Sequence, residues 1–148
     1  MARTRKTKAK TKTKTKAKSK TMSPVKKIDL SKELETTNQL INNGHFDEAE
    51  KKCLALHQSH SKDPRVLLTY SQLHLKKNQL DACIEKLTEA LEIAPSVFQY
   101  NNLAKLHIRQ QNYQQATINY LKALDIKPDD PQTQVNLANL YAKQKDYN

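Results

Sequence analysis

Apolar positions between residues 97 and 130 fall on two successive helical faces. Tyr100, Leu103, Ala104 and His107 recur at spacings of three and four, and Ala116, Tyr120, Ala123 and Leu124 do the same further on. Pro128, which cannot continue a helix, closes the stretch. The same offsets return elsewhere in the chain. Ala116 steps back to Cys83 and Ala49, Tyr120 to Leu87 and Cys53, Ala123 to Ala90 and Leu56, and Pro128 to Pro95. On the first helix, Leu103 corresponds to Tyr70 and Leu137, Ala104 to Ser71 and Ala138, and His107 to His74, Leu40 and Tyr141. The steps are thirty-four residues, with one of thirty-three. A hairpin of two short helices cannot bury its apolar stripe alone, so this period predicts an all-α array in which each hairpin packs on the next.

Local signals place the elements. The first pair is expected to begin near Ser31 as N-cap, with Glu33 and Glu35 near the positive end of the helix dipole and Leu34, Leu40 and Ile41 as its stripe. Asn43 and Gly44, the only glycine of the chain, mark its turn, and its second helix is expected from about 47 to 59. Thr36, Thr37 and His57 make this repeat irregular. Pro64 opens the second pair, which turns at Asn78-Gln79 and ends near Ala94-Pro95. After the third pair, residues 127–131 form a stop, and a last helix is expected over 132–143, with Asp146-Tyr147-Asn148 as the next turn. The division that follows is a tail and linker over 1–27 and a repeat domain over 28–148, with repeats at 30–63, 64–96 and 97–130 and a partial one at 131–148. Leu137, Leu140 and Tyr141 are expected to lack a covering helix, so either the array continues past this sequence or the last helix caps it.

Charge changes the picture only at one end. The formal net charge is +11, yet residues 1–27 hold twelve Lys and Arg and no acid, while the remainder holds fourteen bases against fifteen acids. Residues 2–20 are almost entirely Lys, Arg, Thr, Ala and Ser, a composition with like-charge repulsion and nothing to bury, so disorder is expected there. Residues 22–27, with Ser23-Pro24, read as a linker. Lysines of this kind neutralise phosphates without reading bases, and the tail has no aromatic side chain for stacking. Any contact with nucleic acid through the tail is therefore expected to be non-specific, to weaken steeply with added salt and to ignore base sequence. A nuclear address or a solubilising role fits the same composition. No apolar run is long enough to span a membrane, and no apolar stretch follows the basic start as in a secretory signal. An intracellular protein, cytoplasmic or nuclear, is expected. Cys53 and Cys83 occupy repeat positions otherwise filled by Tyr or Leu and by Ala, which makes them buried thiols rather than a disulfide pair.

The period and its residues resemble the tetratricopeptide repeat, over a region from about Leu30 to the last residue. The resemblance implies a right-handed superhelical solenoid of about three and a half antiparallel hairpins, whose first helices line a concave groove. Asn102 and Asn136 each stand one step before a core leucine, Leu103 and Leu137, on those first helices. They resemble the asparagine ladder of O-GlcNAc transferase-like arrays, in which side-chain amides hold the backbone of an extended peptide. An amide suits that task because it offers both donor and acceptor. Lys105 and Asn139, in the same two stretches, complete the candidate peptide-binding set. Thr69 and Glu35 interrupt the ladder in the second and first repeats, and two solvated asparagines are the alternative reading. The places where a chaperone-tail clamp would put cations hold Leu34 or Leu68, Asn38 or Gln72, and Thr69, Asn102, Gln132 and Asn136, which counts against that class.

No catalytic constellation is visible. A single glycine excludes a phosphate-cradling loop. Cys53, His57 and His60 stand at i, i+4 and i+7, but the first two belong to the face toward the neighbouring helix and no carboxylate completes a metal set, so neither metal nor other cofactor is expected. The reading is a protein-interaction module that takes a protein or peptide ligand in its groove. The alternatives are the substrate-recognition part of a larger enzyme, such as a protein glycosyltransferase, and nucleic-acid association through the tail.

Overall fold

A computed structural model of the chain describes residues 29–145, and within them the backbone forms seven helices and no strand. They are α1 (Leu30–Asn42), α2 (Phe46–Ser59), α3 (Pro64–Lys76), α4 (Leu80–Ile93), α5 (Val97–Arg109), α6 (Tyr113–Ile126) and α7 (Pro131–Lys145). The tail and linker expected over 1–27 and the turn expected at 146–148 lie outside the described residues. Successive helices pack against each other along the whole array, and the pairs α3 with α4 and α5 with α6 are the most intimate. The fold is an all-α solenoid of helix hairpins.

The turn within each hairpin is built the same way three times. Gly44 has φ +80°, and Asn78 and Gln111, one and two periods on, have φ 57° and 59°. At each, the residue after the left-handed one donates its amide five residues back, His45 to Leu40 O at 2.9 Å, Gln79 to His74 O at 2.8 Å and Asn112 to His107 O at 2.8 Å. These bonds satisfy carbonyls that the helix end would otherwise leave without partners. Glycine adopts that conformation without strain, whereas asparagine and glutamine hold it against a steric cost of roughly 1–2 kcal/mol.

Two expectations are corrected. The first N-cap is Asp29, not Ser31: the Asp29 carboxylate accepts from the Ser31 amide at 3.1 Å, so the helix starts at Leu30. Asp63 caps α3 in the same way, accepting from Arg65 N at 2.9 Å. Further along, Leu137 and Leu140 are not left uncovered. They are buried in one cluster with Ala104, Ala116 and Tyr120, because α7 seats on the α5–α6 hairpin through that side. The open face of α7 carries Val135, Ala138 and Tyr141 instead.

Inside each hairpin the helices cross at small residues, Ala49, Cys83 and Ala116 on the second helix against Thr37, Ser71 and Ala104 on the first, all buried. Burial pushes the Cys53 thiol up to about 12 and the Cys83 thiol to about 11, so both stay protonated at neutral pH and serve as small packing groups. Their expected buried, unbridged state is what the fold shows.

His74 and His107, at one repeat position, are half-buried between helices as expected. His74 stacks on Tyr70 with ring centroids 4.6 Å apart and shares a 2.8 Å hydrogen bond with Gln79 Oε1. His107 has no such partner among the described residues: its Nδ1 is buried without a hydrogen bond, and burial holds its pKa below the ordinary histidine value. The unfolded chain therefore binds a proton more readily than the folded one. This contribution to stability is complete above the ordinary histidine pKa and is lost as pH falls through the folded value. Chemical denaturation of wild type and His107→Gln should show the wild type losing more stability than the variant between about pH 7 and about pH 5.

Candidate functional site

The first helices of the repeats, α1, α3, α5 and α7, place Asn38, Thr69, Gln72, Asn102 and Asn136 along one side of the array. Between α1 and α3 the backbones approach closely, whereas α3 and α5 do not make the same approach. The space between them is a cavity of about 580 Å³ floored by Cys83 and Leu87 of α4. Leu68 and Leu106 line its walls, Leu75 (38% exposed) and Phe98 (70% exposed) its rim. Phe98 is the most exposed large apolar side chain among the described residues. Phe98 lies in the first turn of α5, one period after Arg65 in the first turn of α3, so the two stand at equivalent positions on neighbouring helices.

The polar groups around this cavity retain hydrogen-bonding capacity. Asn102 donates from Nδ2 to Gln99 Oε1 at 3.4 Å, a long contact, and Asn38 Oδ1 is buried with no partner among the described residues. Arg65 is committed to Asp63 through Nε at 3.1 Å and Nη2 at 2.7 Å. That pair holds the Asp63 carboxyl below its usual range, the Arg65 hydrogen bond being the main cause. Arg109 instead donates from Nη2 to the neutral Asn78 Oδ1 at 3.2 Å and forms no ion pair among the described residues.

The four residues singled out from the sequence divide between two places. Asn102 lines the α3–α5 cavity. Lys105, Asn136 and Asn139 line a separate, smaller one of about 250 Å³ between α5 and α7, together with Tyr120 and Lys143. Asn136 is also engaged within the fold, donating from Nδ2 to Asn101 Oδ1 at 3.1 Å and accepting from Gln132 Nε2 at 3.0 Å. Asn101 in turn donates from Nδ2 to Thr133 Oγ1 at 2.6 Å and to Val97 O at 2.9 Å. The fully buried Thr133 hydroxyl and amide both donate to Asp130 Oδ2, at 2.7 Å and 3.0 Å, and these bonds hold the Asp130 carboxyl below its usual range.

This polar tie between α5 and α7 was not legible as such. Its one signal is that Asn101 occupies the repeat position held by Leu34, Leu68 and Val135. Replacing Asn101 with Ala strips Thr133 and Asn136 of a partner in a buried setting, at a cost of about 1–3 kcal/mol. Hydrogen exchange should quicken in α7 while α3 and α4 keep their protection.

Comparison with known proteins agrees with this geometry. The signature described as "Tetratricopeptide repeat" matches residues 64–97, and that described as "TPR repeat" matches residues 104–145. No curated protein sequence matches the chain. Among solved structures, the type III secretion translocator chaperone SycD of Yersinia enterocolitica superposes with a TM-score of 0.69 at 14% identity, covering 78% of this chain and 86% of that one. MamA gives a TM-score of 0.69 at 14% identity over 79% of this chain and 69% of its own. The first TPR of Spaghetti (RPAP3), solved bound to an HSP90 peptide, gives 0.66 at 13% identity over 78% and 92%. At these identities the likeness concerns the fold. With its thirty-four-residue period, its repeated turn and two matching repeat signatures, the chain belongs to the tetratricopeptide-repeat family.

Proposed function

We propose that the protein is an interaction module that holds an extended segment of another protein in the groove between α3 and α5. The observation that carries this reading is Phe98, 70% exposed at the rim of a cavity whose walls are apolar and whose polar lining includes the amides of Asn38, Gln72, Gln99 and Asn102. A buried apolar anchor supplies affinity, and amides such as Gln72 and Asn102 meet a peptide backbone whatever its side chains. Two fold neighbours support the reading by what their structures contain: SycD with a peptide of the translocator YopD, and PcrH with the chaperone-binding region of PopD. Of the two asparagine-ladder candidates, Asn102 fits the role of backbone holder best. Asn136 is placed to serve both the fold and the edge of a longer ligand that extends toward Lys105 and Asn139.

Selection of a random peptide library on the full chain tests this. Peptides should be recovered that bind wild type and lose binding to Phe98→Ala. Peptides that bind both proteins equally would remove the groove from consideration.

A further inference from the structure

The described part of the chain is close to neutral, but its charge is sorted by layer. The first helices α1, α3, α5 and α7, which line the groove, carry seven cations and two carboxylates, and both carboxylates are on α1. The second helices α2, α4 and α6 carry four cations and eight carboxylates. Around the α3–α5 cavity the lining includes Arg65 and Arg109 and no carboxylate, and the neighbouring cavity includes Lys105 and Lys143 and again none. Arg65 is neutralised by Asp63, but Arg109, Lys105 and Lys143 form no ion pair among the described residues.

Resting on the groove reading, we propose that the segment it takes is acidic, seating one apolar side chain on Phe98 and Leu75 and presenting carboxylates to Arg109 and Lys105. Guanidinium suits the first contact, since it binds carboxylate in a two-pronged geometry and needs little dehydration. A field of one sign along a groove also raises the encounter rate of an oppositely charged chain and repels a like-charged one. The same sorting disfavours this chain's own head as occupant: residues 1–28 carry twelve cations and no acid, the sign of the groove itself.

The test uses the full chain and three fluorescent peptides with one central leucine, flanked by Asp and Glu, by Ser and Gln, or by Lys. Because the cationic head attracts acidic peptides on its own, the readout is the change on substitution, with the head left intact. Acidic-probe affinity should exceed that of the other two, fall roughly thirtyfold in Phe98→Ala and roughly three- to tenfold in Arg109→Gln, and be unchanged in Leu121→Ala, an exposed apolar residue of α6. The Arg109 contribution should shrink at high salt. If the neutral or lysine probe binds in a Phe98-dependent manner as tightly as the acidic one, the acidic assignment is overturned and the groove stands. If no probe depends on Phe98, the groove reading itself fails.

Discussion

Replacing Tyr120 with alanine is expected to cost about 3–5 kcal/mol, the largest stability loss of any single substitution considered in this chain. Tyr120 is 2% exposed and belongs to a cluster that joins three helices, with Ala104 of α5, Ala116 of α6, and Leu137 and Leu140 of α7. Its removal takes away apolar area and leaves a void that two backbones crossing at alanines cannot close. The repeat supplies its own control. Leu87 fills the equivalent place in the second hairpin, so Tyr120→Leu should recover most of the loss. The opposite defect, Ala116→Leu, forces a larger side chain into a crossing where Ala104 and Ala116 are both 0% exposed, and should cost about 1–3 kcal/mol. Urea denaturation of the three variants would measure the order. Stability of Ala116→Leu equal to wild type would mean that the hairpins cross elsewhere than at these alanines.

The second large effect is on binding. Phe98→Ala removes an aromatic side chain that is mostly in water, so folding stability should change by less than about 0.5 kcal/mol. Affinity for a groove-bound peptide should fall by about 2 kcal/mol or more, because a rim aromatic that becomes covered on binding behaves as a hot spot. This separation of stability from affinity is the signature of a binding residue. Calorimetry with a library-selected peptide gives the second quantity, and urea denaturation the first. Equal losses in both would make Phe98 a packing residue.

Most of the fold could be read from residue offsets because a repeat states its packing several times over. Ala49, Cys83 and Ala116 identify the crossing of each hairpin, and Pro64, Pro95 and Pro128 its ends, so helix bounds came within two residues almost everywhere. Where reading fell short, the deciding interaction lies between repeats. Leu137 and Leu140 find cover on α6 through the inter-repeat side of α7, which the hairpin pattern alone does not reveal. Asn101 looks like a polar interruption of the core until Thr133 and Asn136 are brought beside it, thirty-two and thirty-five residues away. The groove residues Leu75, Phe98 and Arg109 carried no signal because their exposure depends on how far α3 and α5 stand apart. That spacing is a property of two successive hairpins, and no offset within one of them encodes it.

Groove occupancy is tested most directly by nuclear magnetic resonance of the full chain, titrated with a library-selected peptide. Methyl signals of Leu68, Leu75 and Leu106 and side-chain amide signals of Gln72 and Asn102 should shift together and saturate with one affinity, while those of Leu54 and Leu121 on the second helices stay in place. Shifts confined to residues 1–28, or to α2, α4 and α6, would contradict a peptide-holding groove between α3 and α5.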